Sequence, residues 1–494
     1  MKKIFIFLTV FGLFISSCTK KPDQRKTTTS WSKKESRSLA SLDSSEAELI
    51  EAVNQKITSI NSKDQINNRV AEIVELAKKP EHREKHVLQL YAAVLEMVPL
   101  FEGIVWRMRG VVEKTGIVHL AALKALRDIH YQDYMVGPHL NAALEYAVTP
   151  SFDKTLFESI GSVQNFVSAQ LIPALHKTLK KGYEIVGKVD NDWSFEFDQH
   201  LITGVDEAKG VKFLSENKRY KTVIKPHLYY GISFFEGALG VANYSIVYDF
   251  DDTLDYITKV VKKSAINNGV RAKLGMLPNA ITPKDSIEIL RKRTFRKIGK
   301  PRMKKATAQA HLDASLAHFT NAITYEELAY LQTIILSDHS LGNKYIVNPK
   351  WLALREDKTK RRLAEKRRIY EAAKAGKAIT ITSDVTGQLV KINLRALFTV
   401  QDDLKAFLPN EDGFIDGKKK GGYITDNKGK EVEHKVSGKK IFAWDYFFGK
   451  PKAWPDTTFA GFLPEADDKN IYEIVRTLKH TASTRAFSNF IPVP

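Results

Sequence analysis

From Ser44 onward, apolar residues recur at three- and four-residue spacing through most of the chain, a period that lines them along one face of a helix. The clearest run is Phe152, Leu156, Ile160, Val163, Val167 and Leu171, with Pro173 expected to kink or end the helix that carries it. Similar stripes predict helices over 46–60, 64–78, 82–113, 117–147, 284–298, 304–319 and 324–336, punctuated by Pro80, Gly116, Pro150, Pro283 and Pro301. Residues 228–248 form a longer apolar run with Gly231, Gly237 and Gly240 near helical spacing. A membrane-inserting helix is one reading of that run, but Glu236 and Asn243 sit inside it, which favours a buried helix packed closely through its glycines. No tetratricopeptide signature is present, so the expected fold is mainly α, a helical bundle or irregular α-solenoid over residues 45–377.

The pattern changes near residue 378. Ala378–Thr382 and Gln388–Asn393 read as strands of a hairpin around a Gly-containing turn, and Gly422–Ile424 with Glu431–Val436 as a second. The tail that follows is rich in aromatic residues, among them Trp444, Tyr446, Phe447, Phe448, Trp454, Phe459 and Phe462. Residues 378–494 are therefore expected to be a C-terminal part with small β-hairpins and an aromatic cap packed on the helices.

The amino terminus has a different character. Met1-Lys2-Lys3 is a short positive start, Ile4–Phe14 is almost unbroken apolar residue, and Ile15-Ser16-Ser17 are followed by Cys18. This is the layout of a secretory signal peptide, residues 1–17. Its last residues resemble the lipobox of bacterial lipoproteins, in which an apolar residue and two small ones precede an invariant cysteine. The resemblance implies a diacylated Cys18 at the start of the mature chain, and Thr19, in place of an inner-membrane retention aspartate, implies an outer-membrane lipoprotein facing the periplasm. Residues 18–44 are rich in Ser, Thr, Lys and Arg without apolar period, which predicts a lipidated flexible tether.

Composition narrows the chemistry. The chain of 494 residues has a single cysteine, which excludes intramolecular disulfides, CxxC redox centres and thiolate zinc clusters. A mean hydropathy of −0.28 excludes a polytopic helical membrane protein. The formal net charge is +19, and it is not spread evenly. Residues 291–305 hold nine basic residues and no acid, 358–368 seven with one acid, and 417–440 eight with three. Of 76 basic and 57 acidic residues, those segments take 24 and 4, leaving the rest of the chain near neutral. Arg291, Lys292, Arg293, Arg296, Lys297, Lys304, Lys305, Arg361, Arg362, Arg367, Lys418, Lys419 and Lys420 are the candidate contacts to an anionic polymer or membrane surface. The first segment is expected to continue an amphipathic helix with Ile287, Leu290 and Ile298 on its apolar side. The segments lack interleaved aromatics for base stacking, which argues against nucleic acid.

One motif suggests catalysis. Ser245-Ile246-Val247-Tyr248-Asp249-Phe250-Asp251-Asp252-Thr253 resembles the first motif of haloacid-dehalogenase-like phosphatases, a short strand followed by DxDxT. The resemblance implies Asp249 as nucleophile, Asp251 as acid/base and a bound Mg²⁺. The residues before it, however, place Leu228, Ile232, Phe235, Leu239 and Ile246 on one helical stripe, and no βαβ series follows. The pattern itself gives a helix end followed by an acidic run capping the next helix, with Asp251 or Asp252 at its start. The chain has no HExxH, GxSxG, Walker A loop or GxGxxG, and His311 and His318 lie seven apart on one helix face. The expectation is therefore a non-catalytic protein without a cofactor, held to the membrane through Cys18 and binding or scaffolding an envelope protein or anionic polymer.

Overall fold

The computed structural model describes the protein from residue 44 to residue 478, apart from 114–137, 204–218, 264–288, 383–388, 409–422, 426–430, 434–453 and a few single positions. The signal sequence, Cys18, the tether, Ile287, Trp444 and its neighbours to Phe448, and the basic residues Lys292, Arg293, Lys418, Lys419 and Lys420 lie outside the described residues.

The molecule is mainly helical. Twelve helices are described: α1 (Ser44–Thr58), α2 (Asp64–Lys78), α3 (His86–Leu95), α4 (Ile104–Glu113), α5 (Pro138–Val148), α6 (Ile160–Phe166), α7 (Ile172–Lys188), the single turn α8 (His200–Thr203), α9 (Lys225–Ser245), α10 (Lys305–Leu336), α11 (Pro349–Ala353) and α12 (Glu356–Lys374). The strands among the described residues form three two-stranded antiparallel hairpins: β1 (Ser194–Asp198) with β2 (Tyr220–Ile224), β3 (Ile379–Thr382) with β4 (Leu389–Ile392), and β5 (Tyr423–Thr425) with β6 (Glu431–Glu433). The last two hairpins are those the turn signals predicted, and the first is an addition. Phe195 pairs with Val223, and both are buried, so this hairpin closes the end of the N-terminal core.

Helices α1 and α2 match their stripes within a few residues, but longer predicted helices are cut or joined. The 82–113 stripe is divided by a 3₁₀ turn at Val98–Phe101 that contains Pro99, whose ring clashes with the preceding turn of an α-helix and removes its N–H donor. By length and composition His86–Val111 is apolar enough to cross a membrane, and half of that window is buried within the protein. The 152–171 stripe becomes helical only at Ile160, where Ser159 accepts from the Ser162 N–H in a capping box. Phe152 lies outside the described residues, and Leu156 is on extended, non-helical chain. Pro173 does not end this helix. A π-turn at Val167–Leu171, closed by the Ile172 N–H on the Val167 carbonyl, joins α6 to α7 and widens the helix where the proline ring would otherwise press on the preceding turn.

The predicted helices 304–319 and 324–336 are one helix of 32 residues, α10, which packs antiparallel against α9 along a long seam. Around that seam lie two apolar cores. One gathers Val53, Ile73, Leu88, Leu175, Ile232 and Leu239 from the N-terminal helices. The other gathers Leu312, Leu316 and Phe319 of α10, Ile369 and Tyr370 of α12, and Ile381, Val390 and Ile392 of β3 and β4, with Phe398 and Trp454. Trp454 is buried edge-on to Phe459 at 4.9 Å, so this part of the aromatic tail is core.

Candidate functional site

The basic segments come first, since they carry the charge. The 291–305 segment is not a continuous amphipathic helix. The chain is helical to Arg291, and residues 294–304 are turns and extended chain. Gly299 adopts φ +82°, a conformation open to glycine, and its carbonyl accepts from the Leu404 N–H at 2.9 Å. The apolar residues meant to face a membrane are used inside: Phe295 is fully buried, Ile298 is buried, and Leu290 packs against them. Arg291 is half-buried and donates to the Leu408 carbonyl at 2.9 Å, while Arg296, Lys297, Lys304 and Lys305 are exposed. Lys305 reaches Asp402 at 3.7 Å, a contact open to water on both sides.

The second segment lies on α12. Leu363, Lys366, Ile369 and Tyr370 face the core, and Arg361, Arg362, Arg367 and Arg368 are exposed. Lys366 is buried with Nζ 3.3 Å from Glu326, and Arg367 pairs with Glu327 at 2.7 Å, both acids on α10. Because α12 docks near Glu327 while Lys305 begins α10, the two segments sit about 33 Å apart along the helix axis at about 1.5 Å per residue. They do not form one patch, and neither lies on an amphipathic surface helix with a free apolar side.

The acidic motif has a structural use that its spacing conceals. Helix α9 ends at Ser245, so the motif follows a helix rather than a strand, and Tyr248 bridges to Pro301 in antiparallel sense. The Asp249 N–H donates to the Lys300 carbonyl at 2.7 Å and its carbonyl accepts from the Gly299 N–H at 2.8 Å. The Asp249 carboxylate accepts from the Asp251 N–H at 2.8 Å, a local turn. The Asp251 carboxylate takes the Gly161 N–H at the start of α6, and Asp252 takes the Lys297 N–H at 3.0 Å. Gln164 completes the joint by donating to the carbonyls of Ser245 and Tyr248 at 2.6 and 2.7 Å. The run therefore ties the end of α9, the start of α6 and the basic loop together. It caps α6, which precedes it in sequence, and Asp252 stands at the start of the helical turn that follows, its carbonyl accepting from the Tyr256 N–H at 3.0 Å. The parallel sheet that the phosphatase resemblance implies is not found among the described residues.

The most concentrated polar chemistry lies in the α9–α10 seam. Glu236, 2 % exposed, accepts from Tyr183 of α7, from His318 Nδ1 at 2.5 Å and from Asn321 Nδ2 at 3.2 Å. One heptad along, Asn243 meets His311 Nδ1 at 2.8 Å, and between them Ser315 donates to the Gly240 carbonyl at 2.7 Å. The ring of His176 on α7 lies 5.2 Å from that of His318, and beside them Tyr325 stacks on Tyr229 and packs at a tilt against Tyr183. Burial and the neighbouring Glu236 carboxylate push the Tyr183 phenol far up, which keeps it a hydrogen-bond donor. His176 is pushed down by burial and by His318. A second buried acid, Asp198, is held by Arg219 at 2.7 Å and by the His200 N–H at 2.9 Å. The sequence showed Glu236 and the His311/His318 spacing, but not that they meet, since they lie about 80 residues apart. Among the described residues no group of three or more His, Cys, Asp or Glu is arranged to hold a metal ion.

Comparison with protein-family models, curated proteins and solved structures finds no match to any of them.

Proposed function

We propose that this chain is a lipid-anchored cell-envelope protein that binds or scaffolds an anionic polymer through two separate basic surfaces, one at residues 296–305 and one on α12. The observation that carries the reading is the spacing of exposed Arg367, held at Glu327, from exposed Lys305, about 33 Å along α10, with Arg361 and Arg362 exposed on the same helix as Arg367. A small anion reaches one such site, whereas an extended polymer reaches both. Burial of Phe295 and Ile298 removes the apolar face that membrane insertion by this segment requires, which favours a polymer over insertion into a bilayer. Cys18 and the 18–44 tether supply the anchor and the reach in this reading.

The test is binding of the mature, non-lipidated chain to an acidic polysaccharide and to phosphatidylglycerol and phosphatidylcholine vesicles at rising salt. Binding to the polysaccharide is expected, falling steeply with salt. At about 1 kcal/mol per basic residue lost, reversing Lys304 and Lys305 to Glu, or Arg361 and Arg362 to Glu, weakens it by at least roughly thirtyfold each. Equal binding to neutral vesicles, or binding indifferent to both pairs of reversals, defeats the proposal.

A further inference from the structure

We propose that His176 and His318 form a surface site for a divalent transition-metal ion of the zinc, nickel or copper type, with buried Glu236 orienting His318. The two histidines come from different helices, α7 and α10, and are brought together by the packing of both against α9. Their ring centroids are 5.2 Å apart and their planes are inclined by 53°. With metal–nitrogen bonds of about 2.0–2.1 Å and about 1.1 Å from ring nitrogen to ring centre, two imidazoles on a tetrahedral ion have centroids about 5 Å apart. The centroid spacing in the protein matches that value.

The chemistry of each ring fits the same role. His318 Nδ1 is 2.5 Å from the Glu236 carboxylate, so in the neutral ring the proton sits on Nδ1 and Nε2 carries the lone pair. Metal-bound histidines characteristically donate their second ring nitrogen to a carboxylate in this way. Glu236 is itself fixed by Tyr183 and Asn321, so the His318 ring is held in one orientation. His176 is exposed, and its ring makes no hydrogen bond among the described residues, so a nitrogen is available beside the oriented ring. Two protein ligands leave the remaining positions of the ion to water or to a second molecule, and imidazole donors select the middle and late first-row divalent ions over magnesium or calcium.

The experiment titrates the mature chain with Zn²⁺, and separately with Cu²⁺, by calorimetry at pH 7.5, with electron paramagnetic resonance of the Cu²⁺ complex. One saturable equivalent is expected, with two imidazole nitrogens on copper. His176→Ala, at an exposed position, removes that equivalent while leaving the circular dichroism and unfolding midpoint of the metal-free protein unchanged. Glu236→Gln weakens binding about 10- to 100-fold, the usual effect of removing a carboxylate that supports a ligand histidine. His86→Ala, remote from the pair, leaves it unchanged. Absence of a saturable equivalent in the wild type, or full retention of it in His176→Ala, overturns the proposal.

Discussion

His227 should make the protein lose stability in acid, and the size of the loss follows from its surroundings. It sits in the first turn of α9 with its ring buried, edge-on to Tyr345 at 6.4 Å, and its Nδ1 accepts from the Ile224 N–H at 3.2 Å. That bond puts the ring proton on Nε2, which has no hydrogen-bond partner among the described residues. Burial pushes the imidazole from its ordinary value of 6.5 down to about 3. In the unfolded chain the same histidine takes up a proton below about pH 6.5, whereas the folded one does not. The unfolded state then binds more protons, so unfolding free energy falls as pH falls, by about 1.4 kcal/mol per pH step between about 6.5 and 3, and His227 has no such effect above pH 7. At pH 4.5 the loss is about 2.7 kcal/mol.

His227→Asn isolates this contribution, because Asn Oδ1 takes the place of Nδ1 as acceptor from Ile224 while the titrating ring is gone. The smaller side chain costs about 1–3 kcal/mol at pH 7.5 through lost packing. Urea unfolding of both proteins at pH 7.5, 6.5, 5.5 and 4.5 should show their stabilities converging by about 1.4 kcal/mol per step below pH 6.5, then meeting or crossing near pH 5. His86, His139, His200 and His311, which burial also pushes down, act in both proteins and cancel. Parallel curves, with a difference constant to about 0.5 kcal/mol across the range, would refute the reasoning.

Two further substitutions test the seam and the acidic joint. A Cβ at Gly240 would lie 2.9 Å from two ring carbons of Phe319, so Gly240→Val should cost about 2–3 kcal/mol by overpacking, read as a lower thermal midpoint with altered near-ultraviolet circular dichroism, and an unchanged midpoint would contradict the close approach of α9 and α10. Asp251→Ala should lose about 0.5–2 kcal/mol through the freed Gly161 N–H, and a Mg²⁺-dependent phosphatase activity of the wild type abolished in Asp249→Asn would show that the acidic run does more than join elements.

Much of the local structure was legible in the residues. Stripes over 46–60 and 64–78 became α1 and α2, and the turn signals at Asp384–Gly387 and Asp426–Gly429 lie between strands that pair as expected, because period and turn chemistry act over a few residues. Glu236 and Asn243 inside an apolar run marked a buried helix, as α9 is. Element ends were less legible. The 304–319 and 324–336 stripes run together in α10 because the helix is covered on several sides by α9, α12 and α11, so one stripe does not persist along it. Ile298 is on a helical spacing from Leu290 yet lies on irregular chain, because the Gly299 turn and its bond to Leu404 override the period.

By itself, the sequence determined a helical fold, a lone cysteine in a lipobox-like setting, and an excess of charge confined to three short segments on a neutral chain. Those properties belong to single residues and to spacings of three, four or seven. Tertiary structure alone decided that the first two segments stand well apart along α10, that Asp249–Asp252 joins three elements, and that Glu236, His318 and His176 meet. The reason is physical: each depends on how helices separated by tens of residues pack, and packing is set by the close approach that Gly240 allows and by the apolar area two helices bury together, neither of which has a short-range signature in the chain.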